Sequence, residues 1–364
     1  MELFNTIYKG KKVLITGHTG FKGSWLSLWL TRLGAHVVGY SIDVPTKPSH
    51  FKLLNLNITS ITGDILDKRK LLQTVETHKP DIIFHMAAQP LVRLSYEEPT
   101  RTFETNITGT VNVLESCRKT RTTKAVLIIT SDKCYQNKET VRGYQEDDAM
   151  GGDDPYSASK GCAELVTHAY RHSFFHPDQF NKTHSTLVAT ARAGNVIGGG
   201  DWAADRLIPD IMKAAAKKEK MSIRNPHAVR PWQHVLEPLS GYLQLGQKLL
   251  EKQREFADAW NFGPSEKAFL TAKEVTKSIK KHWHEIDFTT EVNRGSLHEA
   301  TLLTLDSSKA RRKLKWKSIW DTDTTFEQTT NWYKNFYTDG TILSEDNLDQ
   351  YISDALRTNA PWVK

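Results

Sequence analysis

The sequence predicts an α/β protein: a doubly wound parallel sheet of the Rossmann type, followed by a smaller mixed α/β C-terminal domain. Three observations carry this. Runs of β-forming residues alternate with amphipathic helical stretches from Lys12 to Ala191, the rhythm of a parallel sheet wound on both faces. Apolar runs such as Val126–Ile129 lack polar alternation, which suits strands covered on both sides. Beyond Ala191 the rhythm breaks into shorter pieces punctuated by Arg224-Asn225-Pro226, Arg230-Pro231-Trp232 and Asn261-Phe262-Gly263-Pro264. The expected division is 1–191 for the sheet domain, with a segment at about 228–262 returning to it, and 192–227 plus 263–364 for the second domain.

Bulk properties narrow the classes of function. A chain of 364 residues can bury one large core or two medium ones. Charged residues make up 25 % and hydrophobic residues 38 %, a soluble balance, and no apolar run approaches the ~20 residues of a membrane span. The N-terminus MELFNTIYKGKKVLIT lacks a signal-peptide core, so a cytoplasmic protein is expected. Cys117, Cys134 and Cys162 include no C-x-x-C pair, which argues against a disulfide framework or a thiolate metal site. The net charge of +7 comes from lysines and arginines dispersed among acids. The basic cluster Lys213–Lys220 reads as a solvated helix face, and a phosphate-bearing small substrate accounts for the excess without nucleic acid.

Taken in order, Lys12–Thr16 is a strand, Gly17-His18-Thr19-Gly20-Phe21-Lys22-Gly23 a glycine turn, and the SWLSLWLTRLG segment a helix ending at Gly34. This is the context in which a glycine pattern becomes a dinucleotide fingerprint. The first glycine permits the tight turn, the second lets the backbone approach a pyrophosphate, and the third lets helix and strand pack closely. The helix N-terminus then faces the anion. His36–Ser41 is the second strand, and a ribose-binding acid is expected near its end. Asp43 is the nearest acid, but Ser41 occupies the usual register, which leaves NAD and NADP both open. Ile58–Thr62 is the third strand; Asp64 after it serves either an adenine amino group or a helix N-cap. Asp81–Met86 is the fourth strand and runs into Ala87-Ala88-Gln89, where small side chains again let backbone approach a ligand. Pro99–Lys119 reads as one long helix containing Asn106.

The fifth strand, from Val126, ends in Ser131, Asp132 and Lys133. Ligands of such sheets bind beyond the carboxyl ends of the strands, so a hydroxyl, a carboxyl and an amine arrive together at the reactive edge. Asp154-Pro155-Tyr156 then opens a helix through Ser173. Tyr156 and Lys160 lie one turn apart on the same helix face. With a serine nearby, a tyrosine and a lysine can move a proton off a hydroxyl while a nicotinamide takes the hydride. Two close positive charges are expected to lower the phenol from ~10 to roughly 7. Leu187–Ala191 is the sixth strand, and from about Asp321 the tail is helical and aromatic-rich.

In this order TGHTGFKGSW, HMAAQ, TSDKCY and YSASK resemble the nucleotide-sugar branch of the extended short-chain dehydrogenase/reductases. LVRLSYEEPTRTFETNITGT, ARAGNVIGGGDWAADRLIPD, RPWQHVLEPLSGYL and LHEA resemble the CDP-glucose 4,6-dehydratase family within it. The resemblance implies NAD, held by Gly17, Thr19, Gly20, Phe21, Gly23, Asp43, Asp64, Ile65, Ala87, Ala88, Gln89, Asn106, Tyr156 and Lys160. It implies that the sugar is oxidised at carbon 4, loses water across carbons 5 and 6, and is reduced at carbon 6. Catalytic roles fall on Ser131, Asp132, Lys133, Tyr156 and Lys160. Asp132 would protonate the departing 6-hydroxyl. Lys133 stands where related dTDP-glucose enzymes carry glutamate, and is either a neutral base for the carbon-5 proton or an ion-pair partner of Asp132. Nucleotide and sugar contacts fall on Asn195, Arg206, Arg230, Asn261 and Glu299, with the arginines matched to the diphosphate. The helices Pro99–Lys119 and Pro155–Ser173 resemble those that pair between subunits, implying a homodimer or a dimer of dimers. The rival readings are a nucleotide-sugar 4-epimerase, which has no need of Asp132 and Lys133, and a non-catalytic nucleotide sensor, which has no need of a proton relay.

Overall fold

In the computed structural model, which describes residues 2–140, 142–223, 225–264, 268–290 and 303–364, seven runs align as one parallel sheet. They are β1 Lys12–Thr16, β2 His36–Ser41, β3 Thr59–Thr62, β4 Ile82–His85, β5 Ala125–Ile129, β6 Leu187–Ala193 and β7 Ala259–Phe262. Their order across the sheet is β7-β6-β5-β4-β1-β2-β3. The chain therefore winds outward from β1 to one edge, returns beside β1 as β4, and winds to the other edge. That reversal opens a crevice at the carboxyl ends of β1 and β4, where Thr16 pairs with His85, and it is the place where such sheets take ligands.

Strand residues alternate between two cores. Val13 and Ile15 point into one, with Phe84, Leu127 and Ala189; Leu14, Val38, Ile83, Val126 and Val188 point into the other. Burial of both faces explains why the strands read as unbroken apolar runs. The first core is closed by α1 Phe21–Arg32, whose Trp25 and Trp29 are fully buried. The second is closed by α2 Lys68–His78 and by a helical path that departs from the single helix expected over Pro99–Lys119. It is α3 Pro99–Phe103, a π-helical turn Glu104–Thr108, and α4 Gly109–Thr120. The wider turn carries Asn106 inward, where it is 1 % exposed. π-Turns inside helices often mark functional positions.

After α5 Pro155–Ser173 and β6, α6 Leu207–Lys217 begins a third core with Trp202, Trp232, Val275, Ile279 and Trp332. α7 Leu236–Leu250 and β7 return to the main sheet, where Leu239 and Tyr242 join the first core. α8 Ala272–Lys280 and α9 Thr322–Asp339 belong to the third. We propose the two-domain division on this basis, with one amendment. α10 Ser344–Arg357 sends Leu348 and Tyr351 into the first core, beside Trp29 and Trp362, so the end of the tail packs on the sheet domain rather than the second.

Glu237, in the first turn of α7, fastens this tail. Its fully buried carboxylate accepts from Ile319 N at 3.0 Å, Trp320 N at 2.8 Å and Tyr351 OH at 2.9 Å. Burial raises its pKa from 4.5 to about 7, outweighing those donors. The folded state thus holds this proton more tightly than the unfolded chain. The associated stability is present below the unfolded pKa and lost as pH rises through about 7, on the order of 3 kcal/mol. Glu237→Gln is expected to flatten the Tm profile between about pH 5 and 8 in scanning calorimetry. Parallel profiles for the two proteins would remove Glu237 as the cause.

Candidate active site

The glycine turn is shaped by close approach. Gly17 lies at φ +78°, and a Cβ there would stand 2.7 Å from Ala87 N. A Cβ on Gly23 would meet Gly17 O at 2.1 Å. The loops after β1 and β4 therefore press together at the crevice, and α1 begins at Gly20 without a side-chain cap. Uncapped N–H groups at a helix start, with no Cβ in the way, fit a dinucleotide pyrophosphate. Thr19 Oγ donates to Asp43 O at 2.6 Å, tying this turn to the end of β2. Asp43 itself is exposed beyond that strand. Ser41, in the register expected for an acid, is engaged with His18 Nδ1 at 2.8 Å.

Several residues expected to touch cofactor are instead spent on the protein. Gln89 Nε2 donates to Leu91 O at 3.0 Å and Thr102 Oγ at 2.8 Å, and Gln89 Oε1 accepts from Leu91 N at 2.6 Å. Asn106 accepts from Gln89 N at 2.9 Å and donates to Gln89 O at 3.1 Å and Ser159 Oγ at 2.8 Å. It thereby locks the Ala87-Ala88-Gln89 loop to α5. Ile65 is a core side chain packed against Gly109, and its carbonyl accepts from Asn112 Nδ2 at 3.0 Å. Asp64 is not a helix cap; that role belongs to Asp67. Asp64 accepts from Leu66 N at 2.9 Å and pairs with Arg101 at 2.8 Å.

Beyond β5 the polar groups converge. Ser131 Oγ donates to Asp132 Oδ1 at 2.8 Å, accepts from Lys133 N at 3.2 Å and acts on the Tyr156 phenol. Asp154 caps α5 through Ser157 N at 2.9 Å and so sets Tyr156 and Lys160 in its first turns. Lys160 Nζ donates to Ile129 O at 3.4 Å, and its burial lowers its pKa to about 8 against the pull of Glu164. Burial pushes Tyr156 to about 12, with Ser131 pulling back. Ser131 and Arg206 pull this phenol down but do not outweigh burial, so the net downward shift expected of it is not produced by the protein's own groups. Burial also raises the Asp132 carboxyl, despite Lys133, Ser131, Arg230 and Lys22. A Cβ on Gly194 would lie 3.0 Å from Asp132 Oδ2, which leaves the carboxylate little freedom on that side.

Of the two roles expected of Lys133, the ion pair with Asp132 is not formed among the described residues. Lys133 is half-buried and lines a cleft with Tyr135, Glu139, Asp153 and Asp154. Asn195 is half-buried past β6, and Arg206, at the start of α6, lies 3.6 Å from Asp201. Arg230 turns Nη1 to Val229 O at 2.9 Å and acts electrostatically on Asp132. Asn261 is a correction. It is fully buried in β7, accepting from Tyr135 OH at 2.8 Å and donating to Tyr144 O at 2.8 Å, so it braces the fold rather than meeting a sugar. Glu299 lies outside the described residues.

Two features escaped the sequence reading. Behind Lys160, Glu164 is held by Thr130, by Thr190 at 2.8 Å and by Arg192 at 2.8 Å, and Arg192 reaches Tyr135 OH at 2.5 Å. Burial raises the Glu164 carboxyl, but Arg192 outweighs it and keeps the pKa low overall. The second is Lys22, whose signal was a basic side chain in the first turn of a helix, against the dipole.

Fold and site together define a sheet-based enzyme of nucleotide-sugar type, and the chain belongs to the family described as GDP-mannose 4,6 dehydratase, whose model matches residues 14–329. More particularly, it is 48 % identical to the CDP-glucose 4,6-dehydratase of Salmonella typhimurium over 96 % of this chain and 98 % of that protein. Among solved structures, an epimerase of Methanothermobacter thermautotrophicus superposes with a TM-score of 0.78 at 23 % identity, covering 92 % of this chain and 95 % of its own. The dTDP-glucose 4,6-dehydratase of Bacillus anthracis, solved with NAD, gives 0.72 at 20 % identity over 90 % and 97 %. These two likenesses concern the fold.

Proposed function

We propose that this protein converts CDP-D-glucose to CDP-4-dehydro-6-deoxy-D-glucose, in the biosynthesis of deoxysugars of the O-antigen type, with NAD regenerated in each cycle. The observation that carries this reading is Asp132. It is a buried carboxyl of raised pKa, hydrogen-bonded to the serine that serves Tyr156. A 4-epimerase has no step that requires such an acid; a dehydratase must protonate a departing hydroxyl. The near-full-length identity to a CDP-glucose dehydratase supports the choice of nucleotide.

Bound NAD would accept the hydride from carbon 4 and return it to carbon 6. The chain's own residues divide the proton work. Tyr156 takes the 4-hydroxyl proton and Ser131 orients that hydroxyl. Lys160, fixed to Ile129 O, contributes positive charge beside the cofactor. Once carbon 4 is a ketone, the carbon-5 hydrogen becomes acidic; Lys133 removes it, and Asp132 protonates the 6-hydroxyl as it leaves. Gly17, Gly20 and Gly23 admit the cofactor backbone, and Asn195, Arg206 and Arg230 serve the nucleotide sugar. Phe103 on α3 and Leu165 on α5 expose apolar rings and branches on the helices expected to pair, which supports a homodimer. No described helix is long and apolar enough to cross a membrane, and we place the protein in the cytoplasm.

Incubation with CDP-glucose and NAD is expected to yield a 4-keto-6-deoxy sugar, read by its alkali-induced absorbance. Recovery of CDP-galactose, or of unchanged substrate, would overturn the assignment.

A further inference from the structure

Lys22 is a cation without a partner at the centre of the site. It is the second residue of α1, between Gly20 and Gly23 of the fingerprint. Among the described residues it forms neither a hydrogen bond nor an ion pair. The charged groups that act on it come from separate elements: Arg206 at the start of α6, Asp132 after β5, and Lys160 on α5. Its pKa is lowered to about 8, chiefly by burial, with Arg206 and Lys160 adding to the fall and Asp132 alone opposing it. Arg206 has Asp201 3.6 Å away and Lys160 has the pull of Glu164, so Lys22 is the cation of the three that meets Asp132 alone, a carboxyl itself inclined to hold a proton. A desolvated ammonium so placed is costly unless an anion neutralises it.

Two anions could arrive here, the cofactor's pyrophosphate and the substrate's diphosphate. The first is already served by the uncapped N–H groups at the start of α1. The side chain of Lys22 acts instead on groups of the substrate side, Asp132 and the second domain's Arg206. We propose that Lys22 and Arg206 together grip the diphosphate of the nucleotide sugar, one cation from each domain. The glycine fingerprint then serves two ligands, its backbone facing the cofactor and its lysine facing the substrate. Closure of the two cations on one dianion also joins the domains around the sugar and presents its carbon 4 towards Tyr156. The inference rests on the nucleotide-sugar reading above.

The test is calorimetric titration of the NAD-loaded protein with CDP, which needs no turnover. A diphosphate that binds the charged lysine must recruit its proton above pH 8, so Kd should weaken roughly twentyfold between about pH 7.5 and 9.5. Proton uptake should appear as a buffer-dependent enthalpy over the same range. Lys22→Met is expected to weaken CDP binding about 10- to 100-fold at neutral pH and to remove the part of the pH dependence that Lys22 supplies. Lys22→Arg should restore affinity and hold it at high pH. NAD affinity should stay within about twofold in both variants. Unchanged CDP binding in Lys22→Met, or loss of NAD affinity in place of CDP affinity, would overturn the proposal. A protein that binds CDP as described but forms no 4-keto product would leave Lys22 as a diphosphate ligand and remove the dehydratase reading.

Discussion

Tyr156→Phe is expected to lower kcat by about 10³-fold while leaving CDP binding intact, because general acid–base transfer by a positioned side chain contributes ~10²–10⁴-fold. The ring stays packed, so loss of activity reports the hydroxyl alone. The structure adds a quantitative constraint. With only the protein around it, Tyr156 is held at about 12 by burial, too high for a base at neutral pH. A cationic nicotinamide, were it bound ~4 Å from the phenol at an effective dielectric of ~20, would supply about 4 kcal/mol, or roughly 3 pH units. Tyr156 should then titrate near 9 in the NAD complex. The kcat/KM profile is expected to rise with pH to a limb there, absent from Tyr156→Phe. NAD binding should also bring a tyrosinate band to lower pH in ultraviolet difference spectra. A limb unmoved by NAD would remove the cofactor charge from this account.

Much of the site was legible because it is local. The turn at Gly17, the close fit of Gly23 and the pairing of Tyr156 with Lys160 depend on residues a few positions apart, and their spacing alone fixes their geometry. The strands were legible because burial on both faces leaves no polar alternation to confuse. What was not legible depends on partners far along the chain. Asn261 reads as a free amide until Tyr135 and Tyr144 arrive against it. Gln89 and Asn106 satisfy each other and the helix of Tyr156, an exchange set by the π-turn at Glu104–Thr108. Lys22 was in view within the fingerprint, but its isolation among Arg206, Asp132 and Lys160 is a property of three converging elements. The fate of Asp64 followed from the same cause, since Arg101 claims it from a different helix.

Asp132→Asn and Lys133→Ala are expected to separate elimination from oxidation. Neither residue serves the 4-hydroxyl, so both variants should still reduce bound NAD when CDP-glucose is added, and the near-ultraviolet absorbance of the reduced cofactor should persist rather than decay. Product formation should fall by about 10²–10⁴-fold in each. Solvent deuterium distinguishes their roles. Asp132→Asn leaves the carbon-5 base in place, so deuterium should enter at carbon 5 while the 6-hydroxyl stays attached. Lys133→Ala removes the base, so exchange should cease together with elimination. This second outcome is the sharper test, because Lys133 is half-buried and shares its cleft with the carboxylates Glu139, Asp153 and Asp154. Continued carbon-5 exchange in Lys133→Ala would show that the proton leaves by another group. Lys133 would then act on Asp132 through its charge, already among the influences that restrain the rise of that carboxyl, and slower elimination with a shifted acid limb would be its signature.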